Sequence, residues 1–218
     1  MPDSDTPSVR IDPPWQKALF DKTLSAFLLL ATLPVSLLIA GAILVGGLLR
    51  MEDRGPVFHT EVRVSQGRPF RLPKFRILTV RAVRDDLTVP GRTPKDVENA
   101  PGNLTRVGSL LKKTGLDELP QLWSVLAGDM SLVGPRPKPV PEYEEELARG
   151  IDRRRVLRAG LTGPVQVMKG TVRTLDQEVA ADVAYVGLHR AGHPWRLLAE
   201  DLRILGRTVR VLLRMTGE

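Results

Sequence analysis

Asp117 and Glu118 stand side by side in Leu116-Asp117-Glu118-Leu119-Pro120-Gln121-Leu122-Trp123, two positions ahead of a proline. Adjacent carboxylates can hold a hard cation, move protons or supply an oxygen nucleophile. Pro120 fits the first turn of a helix, where the early N–H groups have no intrahelical partner. Leu119, Leu122, Trp123 and Leu126 follow at three- and four-residue spacing, which predicts a helix with these four on its buried face. Asp117 and Glu118 then fall at or beside the N-cap, where backbone N–H groups and the helix dipole favour the ionised carboxylate. Spacing alone favours an ordinary acidic cap over a reacting group.

Three cationic stretches could meet an anion, although each in isolation reads more readily as an ordinary proline-rich loop, solvated strand face or helix-end charge. In Gly134-Pro135-Arg136-Pro137 the prolines hold the backbone extended, so Arg136 is presented with little freedom left to lose. Its planar guanidinium suits a phosphate. Lys74-Phe75-Arg76 places two cations on one face of a strand, a face that could meet phosphate. Lys112 or Lys113, at the end of a helical run over 104–113, brings a further cation toward the carboxylates.

Composition narrows the partners. The chain of 218 residues carries 32 Lys and Arg against 25 Asp and Glu, a net charge of +7. That excess suits nucleic acid, a phosphorylated substrate or an acidic membrane. Aromatics at 5% disfavour a base-stacking nucleic-acid surface. The absence of cysteine excludes thiolate catalysis and disulfides. His59, His189 and His193 lack metal-ligand spacing, which leaves a hard cation held by carboxylate and phosphate oxygens.

The positioning elements divide into a polar tail (1–16), a hydrophobic membrane helix (17–50) and a domain over 51–218. Residues 24–49 carry no charge, enough to span a bilayer. Pro34 should kink that helix, and basic residues on both flanks fit a segment that enters and leaves on one face; a tilted single pass is the alternative. Residues 57–64 and 69–80 read as strands around Ser65-Gln66-Gly67-Arg68, residues 85–103 as a mobile loop, and 142–158 as a charged helix. Within that helix Arg153, Arg154 and Arg155 are expected to face solvent or lipid headgroups. Residues 160–164 read as a turn. Thr174 and Gln177 have capping-box spacing before a helix carrying Val179, Val183 and Val186. A last helix starts near Pro194, with Trp195, Leu198, Leu202, Leu205, Val209 and Leu212 along one side. Arg196, Arg203, Arg207, Arg210 and Arg214 lie largely on the others. This stripe suits either an anionic membrane surface or the domain core. The expected fold class is α/β, mostly helical with a small β-hairpin or sheet, interfacial amphipathic helices and a membrane helix, re-entrant or single-pass.

In chain order, Gly55-Pro56-Val57-Phe58, Lys74-Phe75-Arg76, Arg106-Val107-Gly108, Leu116-Asp117-Glu118-Leu119-Pro120-Gln121-Leu122, Gly128-Asp129-Met130-Ser131-Leu132-Val133-Gly134-Pro135-Arg136-Pro137 and Gly160-Leu161-Thr162-Gly163 together resemble the bacterial sugar transferase family. These are the monotopic polyprenyl-phosphate phosphoglycosyl transferases. Asp182 with Tyr185 and Asp201-Leu202-Arg203-Ile204 extend the likeness over nearly the whole chain. The resemblance implies a helix kinked at Pro34 that re-enters the cytoplasmic face of the inner membrane. It implies transfer of a phospho-sugar from a UDP-sugar to polyprenyl (undecaprenyl) phosphate with release of UMP, the first membrane step of surface glycan synthesis. By the same resemblance, Asp117 is the nucleophile of a covalent phospho-sugar aspartate and holds Mg²⁺, while Glu118 assists the metal and the lipid phosphate. Lys74, Arg76, Lys112, Pro135, Arg136, Pro137 and Gln166 make the substrate- and phosphate-binding set. Membrane lipids are expected partners, nucleic acid is not, and self-association is left open.

The chain departs from the family pattern at three places. Leu33-Pro34 stands where Ser-Pro is usual, and Lys112 where arginine is common. Pro164-Val165-Gln166-Val167-Met168-Lys169-Gly170 replaces Trp-Ala-Gln-Val-Asn-Gly-Arg, a loop with a bearing on substrate choice. The rival readings are a catalytically silent single-pass membrane adaptor that binds anionic lipid or protein, and a membrane-tethered nucleic-acid binder.

Overall fold

The computed structural model describes residues 10–86, 94–168 and 174–215. Helix α1 (Trp15–Leu49) contains Pro34 within an unbroken helical assignment. At about 1.5 Å per residue it is about 52 Å long, well beyond the ~30 Å hydrocarbon core of a bilayer. It is the one helix among the described residues long and apolar enough to cross a membrane, and only 11% of its most apolar window is buried. Mean hydropathy there is 2.5.

Strands β1 (Phe58–Ser65) and β2 (Arg68–Phe75) form a hairpin. Its turn has positive φ at both central residues, Gln66 at 49° and Gly67 at 71°. That is the type I′ geometry whose twist matches paired strands. β2 stops at Phe75, short of the strand expected to reach residue 80.

The chain divides into two compact units. One consists of Leu28–Thr60 and Pro73–Gln121. Its core is Ile39 and Ile43 of α1 with Phe75, Ile77, Leu78, Ala82, Val97 and Leu111. The expected loop over 85–103 instead contains helix α2 (Pro94–Asn99), and residues 87–93 lie outside the described residues. Pro94 supplies a preset φ at the first helical position, and the Asn103 side chain donates to Val97 O. Leu78 bridges Leu104, which delivers the chain to helix α3 (Arg106–Thr114). Thr105 caps α3 by accepting from Gly108 N at 2.8 Å. Gly108 must lack a side chain, since a Cβ there would sit 2.1 Å from Ile77 O.

The other unit consists of Met1–Phe27, Glu61–Leu72 and Leu122–Glu218. Strands β3 (Met130–Val133) and β4 (Ala159–Thr162) pair in parallel at its centre. Residues 160–164 were expected as a turn, but Gly160 and Leu161 belong to β4. Bare backbone at Gly134 and Gly160 permits the pairing, because a Cβ on Gly160 would meet Gly134 N at 2.1 Å. The charged segment breaks into α5 (Val140–Ala148) and α6 (Arg153–Val156) around Gly150 at φ 76°. Helix α7 (Leu175–Arg190) starts with the expected Thr174–Gln177 capping box. Val186 is buried as its spacing suggests, whereas Val183 is exposed.

Helix α8 (Pro194–Met215) resolves which stripe faces inward. Leu197, Asp201 and Ile204 are buried, while Trp195, Leu202 and Val209 are exposed. The side chains of Leu212 and Arg214 lie outside the described residues. Inside this unit Lys17 of α1 is fully buried, paired with Asp21 at 2.7 Å and Asp201 at 2.9 Å. Tyr185 donates to Asp201 and Ser131 to Asp21, which satisfies the remaining carboxylate oxygens.

Candidate catalytic site

Asp117 sits in a single 3₁₀ turn, Leu116–Glu118, between α3 and helix α4 (Gln121–Ala127). Gly115, at φ 70°, ends α3 in the left-handed conformation and throws the chain into that turn. Leu116 and Leu119 pack on the unit's core, so the turn is anchored on both sides of the carboxylates. The N-cap position expected for Asp117 is thus a separate turn, one step earlier than α4.

Asp117 is buried. Burial first, then the neighbouring Glu118 and more weakly Glu98, push its carboxyl up to about 6. Lys74 and a backbone hydrogen bond act in the opposite direction and do not prevail. The sequence reading, which had the helix dipole favouring ionisation, lacked this burial. A carboxylate held at about 6 is ionised at neutral pH and more basic than an exposed aspartate.

Of the cations named from the sequence, Lys74 is the one whose charge acts on Asp117. It lies next to Phe75, whose ring stacks on Phe58 at 5.3 Å and stiffens the end of the hairpin. Arg76, expected to share a phosphate-facing strand surface with Lys74, is turned inward and buried. Its guanidinium donates to Pro56 O at 2.7 Å, Leu78 O at 3.0 Å and Asp53 O at 2.5 Å. Burial lowers its pKa despite the nearby Asp53. Arg76 thus organises backbone that leads to the site. Lys112 reaches α2, donating to Glu98 O at 3.0 Å and Asn99 Oδ1 at 2.9 Å. It also pairs with the Glu98 carboxylate at 3.6 Å.

The second group of expected residues belongs to the β3–β4 unit. Pro135 is buried and Arg136 exposed just beyond the C-terminal end of β3. Gly160 donates to Pro135 O at 2.9 Å, and Pro137 is half-buried. Gln166 lies in a 3₁₀ turn, Gln166–Met168, shortly after the end of β4. Both its amide nitrogen and oxygen are shielded from solvent without a hydrogen-bond partner among the described residues. Orphaned buried polar atoms cost about 1–3 kcal/mol each, which makes this carboxamide a candidate for meeting a ligand's donor and acceptor. The ends of parallel strands are where α/β sheets bind ligands. Lys169 and Gly170 lie outside the described residues.

Trp123 and Arg153–Arg155 depart from expectation. Trp123 is 63% exposed, and α4 buries Leu122, Ser124 and Val125 instead. Arg153 and Arg154 are buried, with Arg155 alone exposed. Glu146 and Asp182 neutralise them: Arg153 meets Asp182 at 2.8 Å and Glu146 at 3.2 Å, and Arg154 pairs with Glu146. A run of three arginines gives no sign in sequence that two of them have carboxylates waiting elsewhere in the chain.

Among the described residues no cluster of three or more His, Asp or Glu side chains is placed to cage a metal. Mg²⁺ does not need one, since it commonly takes one or two carboxylates and completes its shell with phosphate oxygens and water. The adjacent Asp117 and Glu118 fit that pattern, and the ion would neutralise charge on a diphosphate.

The family model described as bacterial sugar transferase matches residues 13–215. An uncharacterised sugar transferase of Bacillus subtilis is 37% identical over 206 residues, covering 92% of this chain and 89% of the relative. A UDP-glucose:undecaprenyl-phosphate glucose-1-phosphate transferase of Caulobacter vibrioides is 34% identical over 220 residues, covering 97% and 74%. A galactosyl transferase of Streptococcus agalactiae is 36% identical over 173 residues, 76% of this chain but 36% of the relative. The chain thus spans little more than a third of some curated relatives.

Proposed function

This chain belongs to the bacterial sugar transferase family, and we propose that it transfers a phospho-sugar from a UDP-sugar to polyprenyl phosphate, releasing UMP. The observation that carries this reading is Asp117, a buried carboxylate raised to about 6 on which Glu118 and Lys74 act in opposite directions. An oxygen of Asp117 attacks the sugar-bearing phosphorus, and the bond from that phosphorus to the bridging diphosphate oxygen breaks. UMP leaves with the electron pair. An oxygen of the lipid phosphate then attacks the same phosphorus and restores the free Asp117 carboxylate. Lys74 offsets negative charge on the phosphate at Asp117, Arg136 is assigned a phosphate contact of its own, and Asp117 with Glu118 would hold Mg²⁺.

The same reading places the enzyme on a membrane. Helix α1 exposes Phe27, Leu30, Leu37 and Leu38. The outward stripe of α8, Trp195, Leu202 and Val209, is accompanied by exposed Arg196, Arg203, Arg207 and Arg210. An apolar stripe edged by arginines matches an anionic lipid surface, and the core face of the helix is a different set of residues. The re-entrant course of α1 and the cytoplasmic face of the inner membrane are part of this proposal.

The test is UMP release from a panel of UDP-sugars by detergent-solubilised protein with Mg²⁺ and undecaprenyl phosphate. Release that requires both the lipid and Asp117, lost in Asp117→Asn, supports the proposal. Folded protein that releases no UMP from any sugar would refute it and bring forward the adaptor reading.

A further inference from the structure

The main chain around Arg136 is held at three carbonyls. Pro135 O accepts from Gly160 N at 2.9 Å, Arg136 O from Arg154 Nε at 2.7 Å, and Lys138 O from Val64 N at 2.9 Å. The outer two donors are backbone groups that extend β-type pairing. The middle donor is a side chain, and an expensive one, because removing a guanidinium from water is unfavourable unless its charge is met. Burial lowers the pKa of Arg154, with Arg153 adding to the effect and Glu146 opposing it.

The surrounding groups compensate that charge. Glu146 of α5 takes Arg154, Arg153 and also Lys138, the last at 3.0 Å. Asp182 of α7 takes Arg153 at 2.8 Å. Charges from α5 and α7 thus surround Arg154 of α6, and its guanidinium reaches past them to the carbonyl of Arg136. The Arg136 side chain itself is exposed, and prolines on either side restrict its backbone.

We propose that Arg154 is a positioning residue for Arg136, fixing its main chain so that the guanidinium is aimed at a phosphate before substrate arrives. The inference rests on the phosphate-binding role given to Arg136 above. Preorganisation matters because a cation already in place needs no reorganisation when charge develops.

Arg154→Ala would leave Glu146 short of a buried partner and risks misfolding, so the informative variant is Arg154→Lys. Lysine keeps the positive charge opposite Glu146 but cannot span to Arg136 O with a second planar donor. It is combined with Arg136→Ala in a double-mutant cycle, using the UDP-sugar selected by the panel above. Arg136→Ala should lower kcat/KM by about 100-fold, the loss of a charge-assisted phosphate contact. Arg154→Lys should lower it by about tenfold, mainly through a raised KM for the UDP-sugar, with Tm and the KM for polyprenyl phosphate little changed. In the Arg136→Ala background the same lysine substitution should have less than a threefold effect. Equal losses in both backgrounds would overturn the proposal, since Arg154 would then act independently of Arg136. An Arg136→Ala variant with full activity would overturn it from the other side, by removing the phosphate role of Arg136 while leaving UMP release intact.

Discussion

Replacing Asp117 by asparagine should make the protein more stable, and only at neutral and alkaline pH. The carboxyl has a pKa near 3.8 when unperturbed and about 6 in the folded chain. A group that binds its proton more tightly when folded adds stability that is complete below the unfolded pKa and lost as pH rises through the folded one. Above pH 6 the ionised Asp117 therefore works against folding, and asparagine, which cannot ionise, is free of that penalty. Going from 3.8 to about 6 corresponds to at most about 3 kcal/mol at ~1.4 kcal/mol per pH unit. Solvent screening at a site that must admit substrate reduces this to about 1–2 kcal/mol. For a chain of this size that is a rise in Tm of about 3–6 °C. Thermal unfolding followed by tryptophan fluorescence, in detergent with a chelator present, should show the full gap at pH 8. The gap should shrink through pH 6 and 5 and vanish near pH 4. An asparagine variant no more stable at pH 8, or a gap independent of pH, would refute the account of Asp117 as a carboxylate strained by burial and by Glu118.

If ionised Asp117 is the nucleophile, kcat/KM for UMP release should rise about tenfold per pH unit below pH 6 and level off above it, which a pH–rate profile will show. Arg76→Ala should remove donors from three carbonyls, two of them buried, and destabilise the protein by about 3 kcal/mol or more, measured as loss of folded protein. Gly108→Ala should fail to give folded protein at all, since its Cβ would lie 2.1 Å from Ile77 O; size-exclusion of the expressed variant checks this. Trp195→Glu with Leu202→Glu should weaken association with anionic vesicles at least tenfold while leaving the melting profile intact, because both side chains are exposed.

Much of the local structure could be read from residue patterns, and the reasons differ by element. The hairpin follows from Gln66-Gly67 between two β-rich runs, and α7 from a capping box whose two hydrogen bonds are both present. These signals lie within a few residues of one another. Parallel pairing of β3 with β4 was missed because its partners, such as Met130 and Ala159, are far apart in the chain. Each strand is too short for a period to show, and the surviving hint is glycine at 134 and 160, where backbones touch. Charge was the least legible property. Arg76, Arg153 and Arg154 all read as surface cations, yet each is buried against acceptors that only tertiary structure brings near. The carboxylate pair was singled out by the motifs around it, since its spacing alone favours a helix cap. The shift of Asp117 to about 6 was not, since burial is a property of the assembled core.

Helix α1 also has a bearing on how the chain matures. Ile39 and Ile43 sit about one turn apart on the largely exposed apolar stretch of α1, and they complete the hydrophobic core that supports the Asp117 turn. A fragment cut after the helix, made in the hope of a soluble enzyme, would open that core where two isoleucines belong, each worth about 2–5 kcal/mol on truncation. The unit that carries Asp117 therefore cannot finish folding ahead of its apolar segment. Biogenesis of the active site is coupled to delivery of that helix, so a chain that has not reached its proper surroundings is held short of competence.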